Sequence, residues 1–223
     1  MLHLLRSFCE KYMNDHATIQ APVVAVSRHR IATDGEGVTT LVAFHSCPLR
    51  CRWCLNPHTW REGAVFTMYS VHQLLANVQV DDIYFQATGG GITFGGGEPA
   101  LRSRFIEEFR RICPEEWKIN IETSLNVPQE HVIRLAGAAD EFVIDIKDMN
   151  PRIYRDYTGI GNEQVIGNLC FLASEGKADR CVIRIPLIPG FNTEEDRESS
   201  ISELQKLGFT RFDKFEYITE INK

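Results

Sequence analysis

Apolar runs of strand length alternate along the chain with stretches whose apolar positions recur every three or four residues, the two periods that distinguish strand from helix. The runs predict strands at Val23–Ser27, Thr39–Phe44, Asp82–Gln86 continuing toward Ile92–Phe94, Lys118–Glu122, Phe142–Lys147, Cys181–Ile188 and Phe212–Ile218. The helical stretches fall near Ser70–Val78, Ser103–Ile112, Pro128–Ala136, Asn162–Glu175 and Thr193–Leu207. The last is the best marked. Thr193 stands at the N-cap, Glu194, Glu195 and Asp196 fill the first turn, Ile201, Leu204 and Leu207 make the apolar stripe, and Gly208 stops it. Residues 1–22 read as a polar helical extension and residues 23–223 as the domain proper.

Strands written as near-continuous Val/Ile runs are buried on both faces, so the alternation predicts a parallel sheet under covering helices. Five or six such units are too few for a closed eight-fold barrel, which takes about 250 residues. The expected fold is α/β, an open, partial parallel (β/α)6 barrel.

The length of 223 residues agrees with one domain, and 43% apolar residues are enough to build a core, which excludes a disordered chain. With 24 basic against 30 acidic side chains the net charge is −6. Nucleic-acid binding is therefore not expected, because phosphate recognition needs clustered Lys and Arg. The longest uncharged stretch, Gly63–Val80, is broken by His72, Gln73, Asn77 and Gln79, so it reads as an amphipathic helix and not as a membrane span. Met1–Leu5 is too short for a signal-peptide core and runs into Arg6, Glu10 and Lys11. A monomer in the reducing cytoplasm, with no membrane partner, is the expectation.

Three of the seven cysteines, Cys47, Cys51 and Cys54, lie in a C-x3-C-x2-C spacing just after the strand Thr39–Phe44. That is the carboxyl end of a sheet strand, where parallel α/β folds assemble their chemistry. Closely spaced thiolates suit a soft-ligand metal, either zinc, completed by His58, or an iron–sulfur cluster. Cys9, Cys113, Cys170 and Cys181 are scattered and read as ordinary thiols. Further on, Gly95-Gly96-Gly97-Glu98-Pro99 closes a short apolar strand, and no G-x4-G-K-[ST] phosphate loop is present.

Cys47-Pro-Leu-Arg-Cys51-Arg-Trp53-Cys54, with Trp53 in the aromatic slot of C-x3-C-x-aromatic-C, resembles the defining motif of the radical S-adenosylmethionine (SAM) superfamily. The resemblance implies a 4Fe–4S cluster on three cysteines, its open iron chelating the amino and carboxylate groups of SAM before cleavage to a 5′-deoxyadenosyl radical. It also implies that Gly95, Gly96, Gly97, Glu98 and Pro99 meet the SAM ammonium, where glycine permits close backbone approach. Trp53, Asn56, Thr123, Ser124, Lys147 and Arg184 complete the expected SAM contacts, Lys147 facing the carboxylate. Alternation puts Asp145 and Lys147 on one face, Glu122 with Asp145 is a candidate for holding a bound cation or a ribose, and Arg184 is a charge within an apolar strand, costly unless paired.

Further segments resemble the glycyl radical enzyme activating enzymes, typified by pyruvate formate-lyase activating enzyme. They are Asp34-Gly35-Glu36-Gly37, Cys54-Leu55-Asn56-Pro57, Thr88 through Pro99, Asp145 through Asn150, Tyr157-Thr-Gly159 and Arg184 through Gly190, in the same order over about residues 30–218. By this likeness Glu122, Thr123, Asp145 and the carbonyl of Val143 hold a monovalent cation beside SAM. The partners implied are a glycyl radical enzyme, as protein substrate, and a flavodoxin or ferredoxin electron donor. Glu36 replaces a usual proline, Leu55 a usual histidine, and the usual histidine-bearing carboxyl segment and the eight-cysteine ferredoxin insert are not found. The runner-up is a radical SAM enzyme acting on a small molecule or peptide, like a carboxy-deazaguanine synthase; a zinc-stapled binding module is the non-enzyme alternative.

Overall fold

A computed structural model of the chain describes residues 19–31 and 33–217. The long strand β1 (Gln20–Ile31) turns back antiparallel onto β2 (Val38–Phe44). A short edge strand, β3 (Thr67–Ser70), leads into α1 (Val71–Val78) and α2 (Asp82–Thr88). Then β4 (Gly91–Gly96), α3 (Ser103–Ile112), β5 (Lys118–Thr123), α4 (Gln129–Ala138) and β6 (Glu141–Asp145) follow. Two helices, α5 (Pro151–Thr158) and α6 (Glu163–Ser174), precede β7 (Cys181–Leu187), and α7 (Glu194–Lys206) precedes β8 (Arg211–Glu216).

These strands form one sheet in the order β3-β1-β2-β4-β5-β6-β7-β8. Its six strands from β2 to β8 run parallel, while β1 and β3 extend it antiparallel. The sheet is an open barrel of six parallel strands, as the alternation of periods predicts. One face packs against the helices: Phe44 stacks on Phe94 at 5.5 Å and meets Phe105 of α3 edge-on, and Phe94 meets Phe109 in the same way. Such rings add directional contacts to the area they bury. Among the described residues no helix is long and apolar enough to cross a membrane.

Three expectations are corrected. The segment Asp82–Gln86 lies in α2, not in a strand: Phe85 is buried while Ile83 and Tyr84 face solvent, the single-sided burial of a helix, and Gly89 at φ +68° ends it. Within Gly63–Val80, a strand precedes the helix, which starts only where Ser70 caps it through a reciprocal bond with Gln73. The first domain strand begins at Gln20, so residues 20–22 belong to the sheet and not to an extension. Residues 1–18 of that proposed extension lie outside the described residues, as do Cys9 and the end of the strand expected to reach Ile218. The helix α5 is unforeseen, although Asn150 caps it, Pro151 opens it and Gly159 closes it in the left-handed conformation.

Candidate active site

The cysteine loop leaves the carboxyl end of β2 and is pinned from several sides. His45 N–H donates to Pro22 O (2.9 Å), and Ser46 N–H to Thr59 O (2.8 Å). Arg50 and Arg52 donate their backbone N–H groups to Thr158 and Tyr157 at the end of α5 (2.9 and 3.2 Å). Ser46 itself is held at φ +85°, a conformation that a side chain disfavours. Against it lies the glycine turn: Gly97 N–H reaches Phe44 O at 3.0 Å and Glu98 N–H reaches Ser46 O at 2.7 Å. A Cβ at Gly97 would strike the Ser46 carbonyl, and one at Gly96 would strike Ala43. Glycine is required here first of all by the chain's own backbone.

The three cysteines line one cavity of about 640 Å³, a size typical of cofactor pockets. Burial pushes the Cys47 thiol up to about 12, with the Glu98 carboxylate adding to the effect, and burial also raises Cys51. These thiols give up their protons when a cationic metal centre takes them as ligands. Among the described residues no group of three or more His, Cys, Asp or Glu is gathered tightly enough to hold a single metal ion. Three thiols spread around one cavity, with room left beside them, fit a cluster carrying a small-molecule ligand.

Gly96, Gly97, Thr123 and Ser124 also line the cavity, at the carboxyl ends of β4 and β5. Glu98 does not. It is buried, its Oε1 accepting from Thr123 Oγ1 (2.6 Å) and Ala100 N–H (3.1 Å), its Oε2 from Ser124 N–H (2.9 Å) and Ser124 Oγ (2.6 Å). Four donors of the chain occupy the carboxylate that the resemblance aims at the SAM ammonium; its place is behind the wall, tying the end of β4 to the turn after β5. Leu125 in that turn sits at φ +58°, and Asn168 Nδ2 holds the carbonyls of Leu125 and Val127 (both 2.8 Å).

Lys147 is buried, with Nζ 3.0 Å from the Tyr217 hydroxyl and 3.5 Å from Asp145. Burial is the largest single effect and lowers its pKa, but Asp145, Tyr217 and Cys51 together outweigh burial and hold the ammonium well above the ordinary lysine range. The expected shared face of Asp145 and Lys147 is thus present. On the neighbouring strands Glu122 pairs with Arg184, whose other contacts are the Thr33 carbonyl (3.3 Å) and Asp213 (4.0 Å). Burial raises Glu122, and the Arg184 guanidinium pulls it back. In this way the costly charge of Arg184 inside an apolar strand is compensated.

Asn56 lines the cavity as well. Trp53 is 41% exposed and stands outside it, as do Gly95, whose neighbour is Glu122, and Pro99, which begins a short 3₁₀ turn. Val143 is buried in β6, paired with Glu122 and Val182. The acidic groups expected around a cation therefore have partners within the chain: Glu122 has Arg184, Asp145 has Lys147, and the Thr123 hydroxyl donates to Glu98. Asp213, Phe215 and Tyr217 of β8 and its end line the cavity and were not foreseen, although their spacing of two puts them on one face of a strand. Asp34, ion-paired with Arg30, lines it too, its carbonyl accepting from Asn120 Nδ2 at 3.3 Å. Cys113, Cys170 and Cys181 lie apart from the cavity.

An open parallel barrel with three cysteines on a loop after its first parallel strand, facing a pocket of cofactor size, defines an iron–sulfur enzyme of the α/β class. The chain belongs to the radical SAM superfamily, whose family model matches residues 41–204. With that membership come a 4Fe–4S cluster and SAM as cofactors, and the zinc alternative falls away. The chain is 30% identical over 208 aligned residues to the pyruvate formate-lyase 2-activating enzyme of Escherichia coli (strain K12), covering 79% of this chain and 70% of that one. It is 25% identical over 257 residues to the (2S)-3-sulfopropanediol dehydratase activating enzyme of Klebsiella oxytoca, covering 82% and 80%. Among solved structures, Streptococcus suis SuiB bound to S-adenosylmethionine superposes with a TM-score of 0.62 at 16% identity, over 82% of this chain and 43% of SuiB. This chain spans less than half of SuiB, and the likeness is one of fold.

Proposed function

We infer that this chain is a glycyl radical enzyme activating enzyme, which removes a hydrogen atom from a backbone glycine of a partner protein. The observation that carries the reading is the single cavity joining Cys47, Cys51 and Cys54 to Gly97, Ser124 and Lys147 at the carboxyl edge of the sheet. The activating-enzyme names of its relatives, at 25% and 30% identity, support it. When bound, the cluster and SAM supply reductive cleavage of the sulfonium and an adenosyl radical.

The chain's own residues bind and orient. Cys47, Cys51 and Cys54 are the cluster ligands, and Lys147 offers the SAM carboxylate an ammonium already fixed by Tyr217 and Asp145. Gly96, Gly97, Thr123 and Ser124 line the cavity and would hold the methionine end of SAM. Arg184, braced by Glu122, adds a further positive charge to the cavity lining. An extended segment of the partner enters beside β8, which among the described residues pairs only with β7. A flavodoxin or ferredoxin delivers the electron, and the chain works as a monomer in the cytoplasm.

The test is electron paramagnetic resonance on reduced, cluster-loaded protein mixed with SAM and a glycyl radical enzyme encoded beside it. A doublet glycyl radical with 5′-deoxyadenosine as co-product is expected. Deoxyadenosine formed with a small metabolite as hydrogen donor, and no radical on any such partner, overturns the reading.

A further inference from the structure

The indole Nε1 of Trp60 lies 3.4 Å from Cys54 Sγ. An indole N–H is a donor and never an acceptor, so the sulfur must accept. We propose that Trp60 is a positioning residue for the cluster, its N–H donating to the Cys54 thiolate and making the cluster easier to reduce. The proposal rests on the three cysteines holding a 4Fe–4S cluster. A thiolate sulfur bound to iron keeps lone pairs that can accept, and hydrogen bonds to cluster sulfurs are among the levers that set the reduction potential. The added electron places more negative charge on the sulfurs, so a donor stabilises the reduced form more than the oxidised one.

The indole is aimed at the sulfur by a built arrangement. Trp60 follows a 3₁₀ turn, Pro57–Thr59, whose Thr59 carbonyl accepts from Ser46 N–H at the root of the cysteine loop (2.8 Å). The Arg50 guanidinium lies 4.5 Å from the ring centroid while its Nη1 donates to the carbonyls of Cys47 and Leu49 (both 2.7 Å). Arg61 lies over the same ring at 5.9 Å. One arginine thus joins the ring to the loop that carries the other ligands, and two cations over its face draw electron density from the ring and sharpen the N–H as a donor. The one-electron reduction itself draws on an external carrier, and no bond of Trp60 forms or breaks.

The experiment loads wild type and Trp60→Phe anaerobically, measures iron and sulfide, and titrates the cluster potentiometrically. Phe keeps an aromatic face for Arg50 and deletes the donor. Equal iron and sulfide, with the oxidised-to-reduced ratio at fixed potential raised about fivefold, is expected from a net hydrogen bond of ordinary strength. In deuterated buffer, the reduced wild-type cluster should show an exchangeable proton coupling that the Phe variant lacks. If the Phe variant fails to load, site-specific 3-benzothienylalanine at position 60, which keeps the two-ring shape and lacks the N–H, takes its place. A cluster of full occupancy with unchanged potential and unchanged proton coupling overturns the proposal, and so does failure of both variants to load, which would make Trp60 part of the loop's fold alone. Wild type that binds no sulfide would instead overturn the cluster reading beneath it.

Discussion

Gly97 and Ser46 meet backbone to backbone: the space for a side chain at residue 97 is filled by the Ser46 carbonyl, one residue before the first cluster ligand. The glycine turn and the cysteine loop are thereby one mechanical unit, tied by the bonds Gly97 N–H to Phe44 O and Glu98 N–H to Ser46 O.

Changing Gly97 to Val should therefore displace the cysteine loop, and not merely crowd SAM. Overpacking of this kind costs about 1–3 kcal/mol. The expected result is a melting temperature lower by roughly 3–10 °C, together with iron content well below four per chain. A variant that keeps full iron and loses only SAM affinity would show that the turn and the loop are uncoupled.

Glu98→Gln should weaken the wall behind Thr123 and Ser124, because an amide places N–H groups among four donors, leaving buried groups unpaired at about 1–3 kcal/mol each. The pH dependence has a definite sign. Burial raises the native pKa of Glu98 above the unfolded value near 4.3, so the native state holds the proton over the interval between them. Across that window the wild-type stability attributable to Glu98 is full below the unfolded pKa and falls as pH rises. Paired urea titrations should show the gap between wild type and Glu98→Gln widest near pH 4 and narrowing upward. A gap that grows with pH would mean that the four donors outweigh burial.

Lys147→Met should load its cluster and bind SAM at least tenfold more weakly, the loss expected when a charge-assisted hydrogen bond of about 1.5–3 kcal/mol is removed. Tyr217→Phe, which deletes only the hydroxyl 3.0 Å from Nζ, should have a smaller effect in the same direction. Equilibrium dialysis with labelled SAM measures both, and unchanged affinity in Lys147→Met would place the SAM carboxylate elsewhere.

Arg184→Met should strand the Glu122 carboxylate in a largely buried position and destabilise the fold by about 3 kcal/mol. The double change Arg184→Met with Glu122→Gln should recover most of that loss. Chemical denaturation of the four proteins gives the coupling between the pair, and additive costs would show that the two groups act independently.

Cys47, Cys51 and Cys54 announce a metal centre because their spacing is local and the chemistry of three thiolates needs no knowledge of the fold. The parallel sheet was equally legible: strands buried on both faces carry unbroken apolar runs, as Phe142–Ile144 and Cys181–Ile183 do. Asp82–Gln86 misled because Ile83, Tyr84 and Phe85 carry strand-like residue types; only the placement of Phe85 alone in the core makes the segment a helix. Glu98 shows the same division within the site. Its position after three glycines marks it as part of the pocket's machinery, but which donors claim its oxygens depended on β5 ending beside β4 and bringing Thr123 and Ser124 to its side. Trp60, Tyr217 and Asp34 could not be joined to the cysteines from spacing alone, since they come from a 3₁₀ turn, the last strand and the β1–β2 connection. Thiol chemistry and periodicity act over a few residues, whereas a hydrogen bond or a buried ion pair is decided by ångströms between segments far apart in the chain, and only the closed packing of the sheet sets those distances.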